Sequence, residues 1–155
     1  MSGCPRFIAD AMLGKLARWL RTLGCDVAYE SDIEDRELLR RAIDEERVIL
    51  TRDTLFIRRR AARGRSFFVE GDLIDDQLKQ VSLKFGIGPG NILTRCLRCN
   101  MELREMDKEK VRGKVPQYVF ETQERFSACE RCGRVYWGGT HKERMIEAIE
   151  KMLKT

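Results

Sequence analysis

Two kinds of residue in this chain are spaced for chemistry, and the first is cysteine. Cys96-Leu97-Arg98-Cys99 and Cys129-Glu130-Arg131-Cys132 are Cys-x-x-Cys pairs with 29 residues between them, followed by Asn100 and Gly133. Asn and Gly tolerate a positive backbone φ, which lets a chain fold into a knuckle with both thiolates facing one point. Four thiolates at one point suit tetrahedral Zn(II) in a closed, structural site. A redox role is the competing reading, but neither pair lies at a strand-to-helix turn of a thioredoxin-like pattern. Cys4 and Cys25 stand apart from the four and are read as small apolar side chains or unreactive thiols, with no role assigned.

The second kind is acidic. Val48-Ile49-Leu50-Thr51-Arg52-Asp53 is an apolar β-type run that ends in a carboxylate, and Arg6-Phe7-Ile8-Ala9-Asp10 repeats the design. In a parallel sheet both acids arrive at the carboxyl edge of the strands, where such sheets bind ligands. Asp35 opens a helix expected to dock on the same edge, and Asp72 follows a fourth apolar run, with Asp75 and Asp76 as alternatives. Carboxylates forced together repel, and they persist where a divalent cation sits between them. All-oxygen ligation by Asp10 and Asp53 matches Mg(II) or Mn(II) and phosphodiester hydrolysis. The plainer role for Asp35 and Asp72 is helix capping. It fits Asp10 and Asp53 less well, since each ends an apolar run where an unused charge is costly. Asp32, Glu34 and Glu37 are read as solvated or helix-end charge.

The elements that must position these groups alternate. Strands are expected at residues 6–10, 25–29, 48–53 and 66–69. Leu13, Leu16, Ala17, Leu20 and Leu23 mark a helix ended by Gly24; Leu38, Leu39, Ala42 and Ile43 mark a second. Thr54 to Ala62 reads as a short arginine-rich helix ended by Gly64, and Ile74, Leu78, Val81 and Phe85 as a longer one. Strand–helix alternation with short links predicts an α/β fold: a parallel sheet with helices on both faces. Gly86-Ile87-Gly88-Pro89-Gly90 then marks a boundary, giving an α/β unit over 1–90, a cysteine ribbon over 91–141 and a helix over 142–155 that packs back. Ile92-Leu93 is expected as an edge strand, and Pro116–Phe120 and Arg134–Trp137 as ribbon strands.

The formal charge of +5, from 30 basic and 25 acidic residues, is compatible with a polyanionic partner but does not demand one. Lys15, Arg18 and Arg21 share a helix face leaving Asp10. With Arg52 and the arginines that follow it they could draw a phosphate backbone to the edge, a solvated face being the plainer reading. His141, the only histidine, reads as a helix-start surface residue. No apolar run reaches the roughly 18 residues of a membrane span and no signal-peptide core opens the chain, so a cytoplasmic protein is expected.

These motifs, in order, resemble one family. Phe7-Ile8-Ala9-Asp10, the run Leu13-Gly14-Lys15-Leu16-Ala17-Arg18-Trp19-Leu20-Arg21, Leu50-Thr51-Arg52-Asp53, Arg95-Cys96 with Cys99-Asn100, Cys129 with Cys132-Gly133-Arg134-Val135-Tyr136-Trp137, and Thr140-His141 are similar to the PIN-like RNase domain named after the C-terminal part of the Mut-seven exonuclease, which carries a zinc ribbon. The resemblance runs from Arg6 to about Met145. It implies a PIN-like fold and a metal-dependent nuclease acting on RNA, with the family's acids at Asp10, Asp35 and Asp53 and the fourth among Asp72, Asp75 and Asp76.

The expectation is therefore a ribonuclease of single-stranded RNA. Asp10, Asp35, Asp53 and Asp72 are its catalytic acids, with Mg(II) or Mn(II) on Asp10 and Asp53. Lys15, Arg18 and Arg52 contact the substrate, and a structural Zn(II) sits on Cys96, Cys99, Cys129 and Cys132. Two rivals are an inert nucleic-acid-binding ribbon protein and an aspartyl-phosphate receiver. The receiver lacks support, because residue 10 has no adjacent second acid and no Lys-Pro follows a fifth strand.

Overall fold

The apolar runs form four short parallel strands, β1 (Phe7–Ala9), β2 (Val27–Ala28), β3 (Val48–Thr51) and β4 (Ser66–Phe68), in the order β2-β1-β3-β4. The structure is a computed structural model that describes residues 4–154. Ala9 pairs with Leu50 and Thr51 with Phe68, so β1, β3 and β4 end at one common edge. All of β1 and residues 49–51 of β3 are buried, as parallel strands covered on both faces must be.

Side-chain alternation along the strands sorts the core into two layers. Phe7, Ala9 and Leu50 face Leu16 and Leu20 of α1 (Gly14–Thr22), and Leu78 and Val81 of α4 (Ile74–Phe85). Ile8 and Ile49 face Leu38 and Ala42 of α2 (Asp35–Asp44) and Phe56 of α3 (Thr54–Ile57). The expected α/β fold, with helices on both faces of a parallel sheet, is present.

The arginine-rich helix after Asp53 is shorter than expected. It stops at Ile57, and after an extended Arg59 a separate 3-10 turn spans Arg60–Ala62. Phe56 and Ala62 both bury in the same layer, although six residues along an unbroken helix would put them about 120° apart. The break lets both face inward.

After the Gly86–Gly90 run, Ile92-Leu93 does not form the expected edge strand. A 3-10 turn, Pro89–Asn91, precedes them, Leu93 takes φ 59°, and its N–H donates to Thr22 O at 2.8 Å. Ile92 packs into the α1 layer instead of pairing. The cysteine region has an antiparallel sheet of β5 (Arg104–Met106), β6 (Phe126–Ala128) and β7 (Val135–Tyr136). Pro116–Phe120, expected as a ribbon strand, opens α5 (Gln117–Thr122), with Pro116 O accepting from both Val119 N and Phe120 N at 3.0 Å. Val119 and Phe120 are adjacent and both buried against Val111 and Phe126; a strand would send them to opposite faces.

The last helix, α6 (Gly139–Lys154), starts three residues before the expected 142, and its Ile149 is buried in the α1–α4 layer. Cys4 and Cys25, read as unpaired, are joined in a disulfide with Cα atoms 5.4 Å apart. Both precede neighbouring strands whose register pairs Phe7 with Val27, which brings the two thiols together. Among the described residues no helix is long and apolar enough to cross a membrane.

Candidate functional site

At the common strand edge Asp10, Thr51 and Asp53 form one run of hydrogen bonds. Asp10 continues the sheet past β1, its N–H donating to Leu50 O at 3.0 Å. Its Oδ1 accepts from Met12 N at 2.9 Å, and its Oδ2 accepts from the Thr51 hydroxyl at 2.7 Å and Arg52 N at 2.9 Å. Thr51, fully buried, in turn accepts from Asp53 N at 3.0 Å. Asp53 Oδ1 caps α3, accepting from Leu55 N at 2.9 Å and Phe56 N at 3.1 Å.

A carboxylate oxygen has two lone pairs. Asp10 Oδ2 and Asp53 Oδ1 are thus saturated, whereas Asp10 Oδ1 keeps one lone pair and Asp53 Oδ2 accepts no hydrogen bond among the described residues. Two oriented carboxylates with oxygens to spare fit a hard divalent ion, which takes one or two such ligands and retains water.

The other expected acids do not join them. Asp35 is the first residue of α2 and not its cap, Glu34 holding that position, and its Oδ2 pairs with Arg59 at 3.2 Å. Asp72 lies two residues ahead of α4, caps nothing, and pairs with Arg52 Nη1 at 2.8 Å. Asp75 and Asp76 are exposed in the first turn of α4. Among the described residues, the only grouping of three or more His, Cys, Asp or Glu able to share an ion is Cys96, Cys99, Cys129 and Cys132. Asp10, Asp35 and Asp53 do not make up such a grouping as their side chains stand, and Asp35 is paired with Arg59.

Of the basic residues, Lys15 and Arg18 are exposed on α1 as expected. Arg21 is not: it is buried, with Nε donating to Val27 O and Nη1 to Leu97 O, each at 2.9 Å. Arg52 Nε is buried without a partner among the described residues. The side chain of His141 lies outside the described residues.

The four cysteine sulfurs lie within 4.8 Å of one another and could hold a metal such as zinc. Asn100 at φ 66° and Gly133 at φ 78° close two matching turns, donating to Cys96 O at 2.9 Å and Cys129 O at 2.8 Å. Burial disfavours the Cys96 thiolate, but the Tyr136 hydroxyl at 3.3 Å and the N–H groups of Cys99 and Arg98 outweigh it and pull its pKa down to about 6. Burial and hydrogen bonds with Cys132 and Cys129 push Cys99 up to about 12. Tyr136, pushed up to about 12 by its own burial and by Cys96, stays a donor.

This knuckle is bolted to the sheet. Asn100 Oδ1 accepts from Val27 N of β2 at 2.9 Å, and its Nδ2 donates to Asp26 Oδ1 at 2.6 Å. Arg47, buried, donates to the same Asp26 oxygen and to Phe7 O, each at 2.8 Å.

A family model described as the Mut7-C RNAse domain matches residues 5–149, spanning both the carboxylate edge and the four cysteines. The chain belongs to the Mut7-C RNAse domain family. No curated protein and no solved structure matches it. Membership of the Mut7-C RNAse domain family points to ribonuclease activity, and so to a nucleic-acid substrate. In this Mut7-C RNAse domain, Thr51, Asn100 and Tyr136 carry parts that the sequence did not reveal. Thr51 had a signal, a polar residue inside an otherwise apolar strand. Asn100 was legible only as a turn residue and Tyr136 only as part of a strand.

Proposed function

We propose that the chain is a divalent-metal-dependent ribonuclease of single-stranded RNA, with Asp10 and Asp53 holding Mg(II) or Mn(II) and the four cysteines holding structural Zn(II). The observation that carries this reading is the Asp10–Thr51–Asp53 run: one oxygen of each carboxylate is saturated by protein donors, while Asp10 Oδ1, which also accepts from Met12 N, keeps one lone pair and Asp53 Oδ2 keeps both. When bound, the divalent ion would polarise the phosphoryl group and lower the pKa of an attacking water.

The chain's own residues do the remainder. Thr51 and Arg52 N hold Asp10 in one orientation, and the α3 amides hold Asp53. Asp35 is assigned to orienting the attacking water and Asp72 to the fourth acidic position. Each faces an arginine, Arg59 or Arg52, and exchange of that arginine onto a substrate phosphate frees the acid. Lys15 and Arg18 hold phosphates beside the edge.

Incubation of purified protein with end-labelled single-stranded RNA or DNA tests the reading. RNA is expected to be cut in Mn(II) or Mg(II), not in chelator, with activity restored by Mn(II). Binding without cleavage in Mn(II) would instead support an inert nucleic-acid-binding ribbon.

A further inference from the structure

We propose that the groove between α1 and the first cysteine knuckle, continued over the second knuckle, is the track for the RNA backbone, with Arg98 and Arg134 as its central phosphate contacts. The inference rests on the ribonuclease reading and extends it to residues outside the carboxylate edge.

Two adjoining depressions share Arg98 and Arg134. One, of about 390 Å³, lies between Gly14, Arg18 and Tyr29 on the sheet side and Leu97 of the knuckle. The other, of about 560 Å³, runs past Lys114 and Trp137. Neither is lined by an acidic residue, whereas the hollow on the far side of the knuckle mixes Arg47, Arg95 and Arg131 with Asp26, Glu102 and Glu130. Arg18, Arg98, Arg134 and Lys114 are all exposed, and none is ion-paired among the described residues. Some exposed arginines elsewhere are neutralised, as Arg104 is by Glu130 and Arg112 by Glu109, while others, such as Arg58, Arg60, Arg63 and Arg65, are not, so it is the acid-free lining and the aromatics that set this groove apart.

A run of unneutralised cations attracts a polyanion, and the aromatics say which kind. Half-buried Tyr29 and Trp137 stand toward the two ends of the run, and aromatic faces in a basic groove stack the splayed bases of a single strand. The Tyr29 end adjoins the carboxylates: its hydroxyl donates to Ala11 O at 2.8 Å, one residue past Asp10. Gly14 leaves room for that ring, since a Cβ there would stand 2.8 Å from the Tyr29 oxygen. Arg21, tied to Val27 O and Leu97 O, holds the knuckle wall against α1.

The test is fluorescence anisotropy of a labelled 12-nucleotide single-stranded RNA across a salt series, without added Mg(II) or Mn(II), so that binding is read whether or not the chain cuts. In Arg98→Gln/Arg134→Gln, Kd is expected to weaken about tenfold or more, and the slope of log K against log salt to shrink by about 1.4, the value for two single-strand phosphate contacts. Lys151→Gln/Lys154→Gln, with the same charge change on α6, is expected to leave the slope unaltered. Should the first variant release zinc, Arg18→Gln/Lys114→Gln, away from the thiolates, carries the same expectation. Wild-type affinity and slope in the groove variant, or an equal loss in the α6 control, overturn the track while leaving the ribonuclease reading standing. Duplex RNA bound as tightly as the single strand overturns the single-strand assignment.

Discussion

The Thr51 hydroxyl donates to Asp10 Oδ2 at 2.7 Å from a position with no solvent exposure, and it accepts the Asp53 N–H in the same place. One buried oxygen thus fixes the relative placement of two carboxylates that stand 43 positions apart in sequence.

Thr51→Val keeps the shape of the side chain and removes both hydrogen bonds. The part-buried Asp53 N–H loses its acceptor and the Asp10 carboxylate loses a donor, at a cost of about 1–3 kcal/mol. Activity is expected to fall by roughly one to two orders of magnitude as the carboxylates lose their orientation, and Thr51→Ser is expected to restore it. Urea unfolding and cleavage rates on the three proteins check this.

Tyr136→Phe tests the support behind the thiolates. Its hydroxyl donates to Cys96 Sγ at 3.3 Å and accepts from Leu97 N at 3.1 Å. Zinc affinity, measured by competition with a chromogenic chelator, is expected to drop about 10- to 100-fold.

Acid should loosen the docking of the knuckle. Burial raises the Asp26 carboxyl, but hydrogen bonds from Arg47 and Asn100 outweigh it and hold its pKa below the ordinary value. Glu45 is held down to about 2 by Arg41 against burial, with help from Arg47. Both bind protons more weakly folded than unfolded. Their contribution is complete above the unfolded values, about pH 4, and is lost as pH falls toward about 2. Denaturant midpoints are expected to fall through that window, and less steeply in Asp26→Asn, whose side chain does not titrate.

Cys4→Ser removes the disulfide to Cys25, which closes a loop at a sequence separation of 21. Chain-entropy arithmetic for a loop of that length predicts a loss of about 3 kcal/mol. Thermal unfolding of the variant beside the parent reads it, and unchanged zinc content shows that the ribbon thiols are undisturbed.

Much of the fold was legible because its signals are local. An apolar run ending in an acid, a helical stripe closed by Gly24, and Asn100 and Gly133 after the cysteine pairs each appear where expected. The misreadings have non-local causes. Pro116–Phe120 looks like a strand, but its adjacent apolar pair is buried by helical turning against Phe126. The partner of Asp35, Arg59, lies 24 residues away and is likewise set by tertiary placement. The disulfide depends on the register of β1 with β2, which spacing alone does not reveal.

The account turns on Asp53 as a metal-holding carboxylate, and Asp53→Asn addresses it directly. Asparagine also caps helices, so α3 is retained, as are fold and zinc content, while the charge offered to a divalent ion is gone. With labelled single-stranded RNA in saturating Mn(II), the wild type is expected to cut and the variant to lose at least about three orders of magnitude in rate. A folded, zinc-loaded Asp53→Asn protein that cuts RNA at the wild-type rate would contradict it.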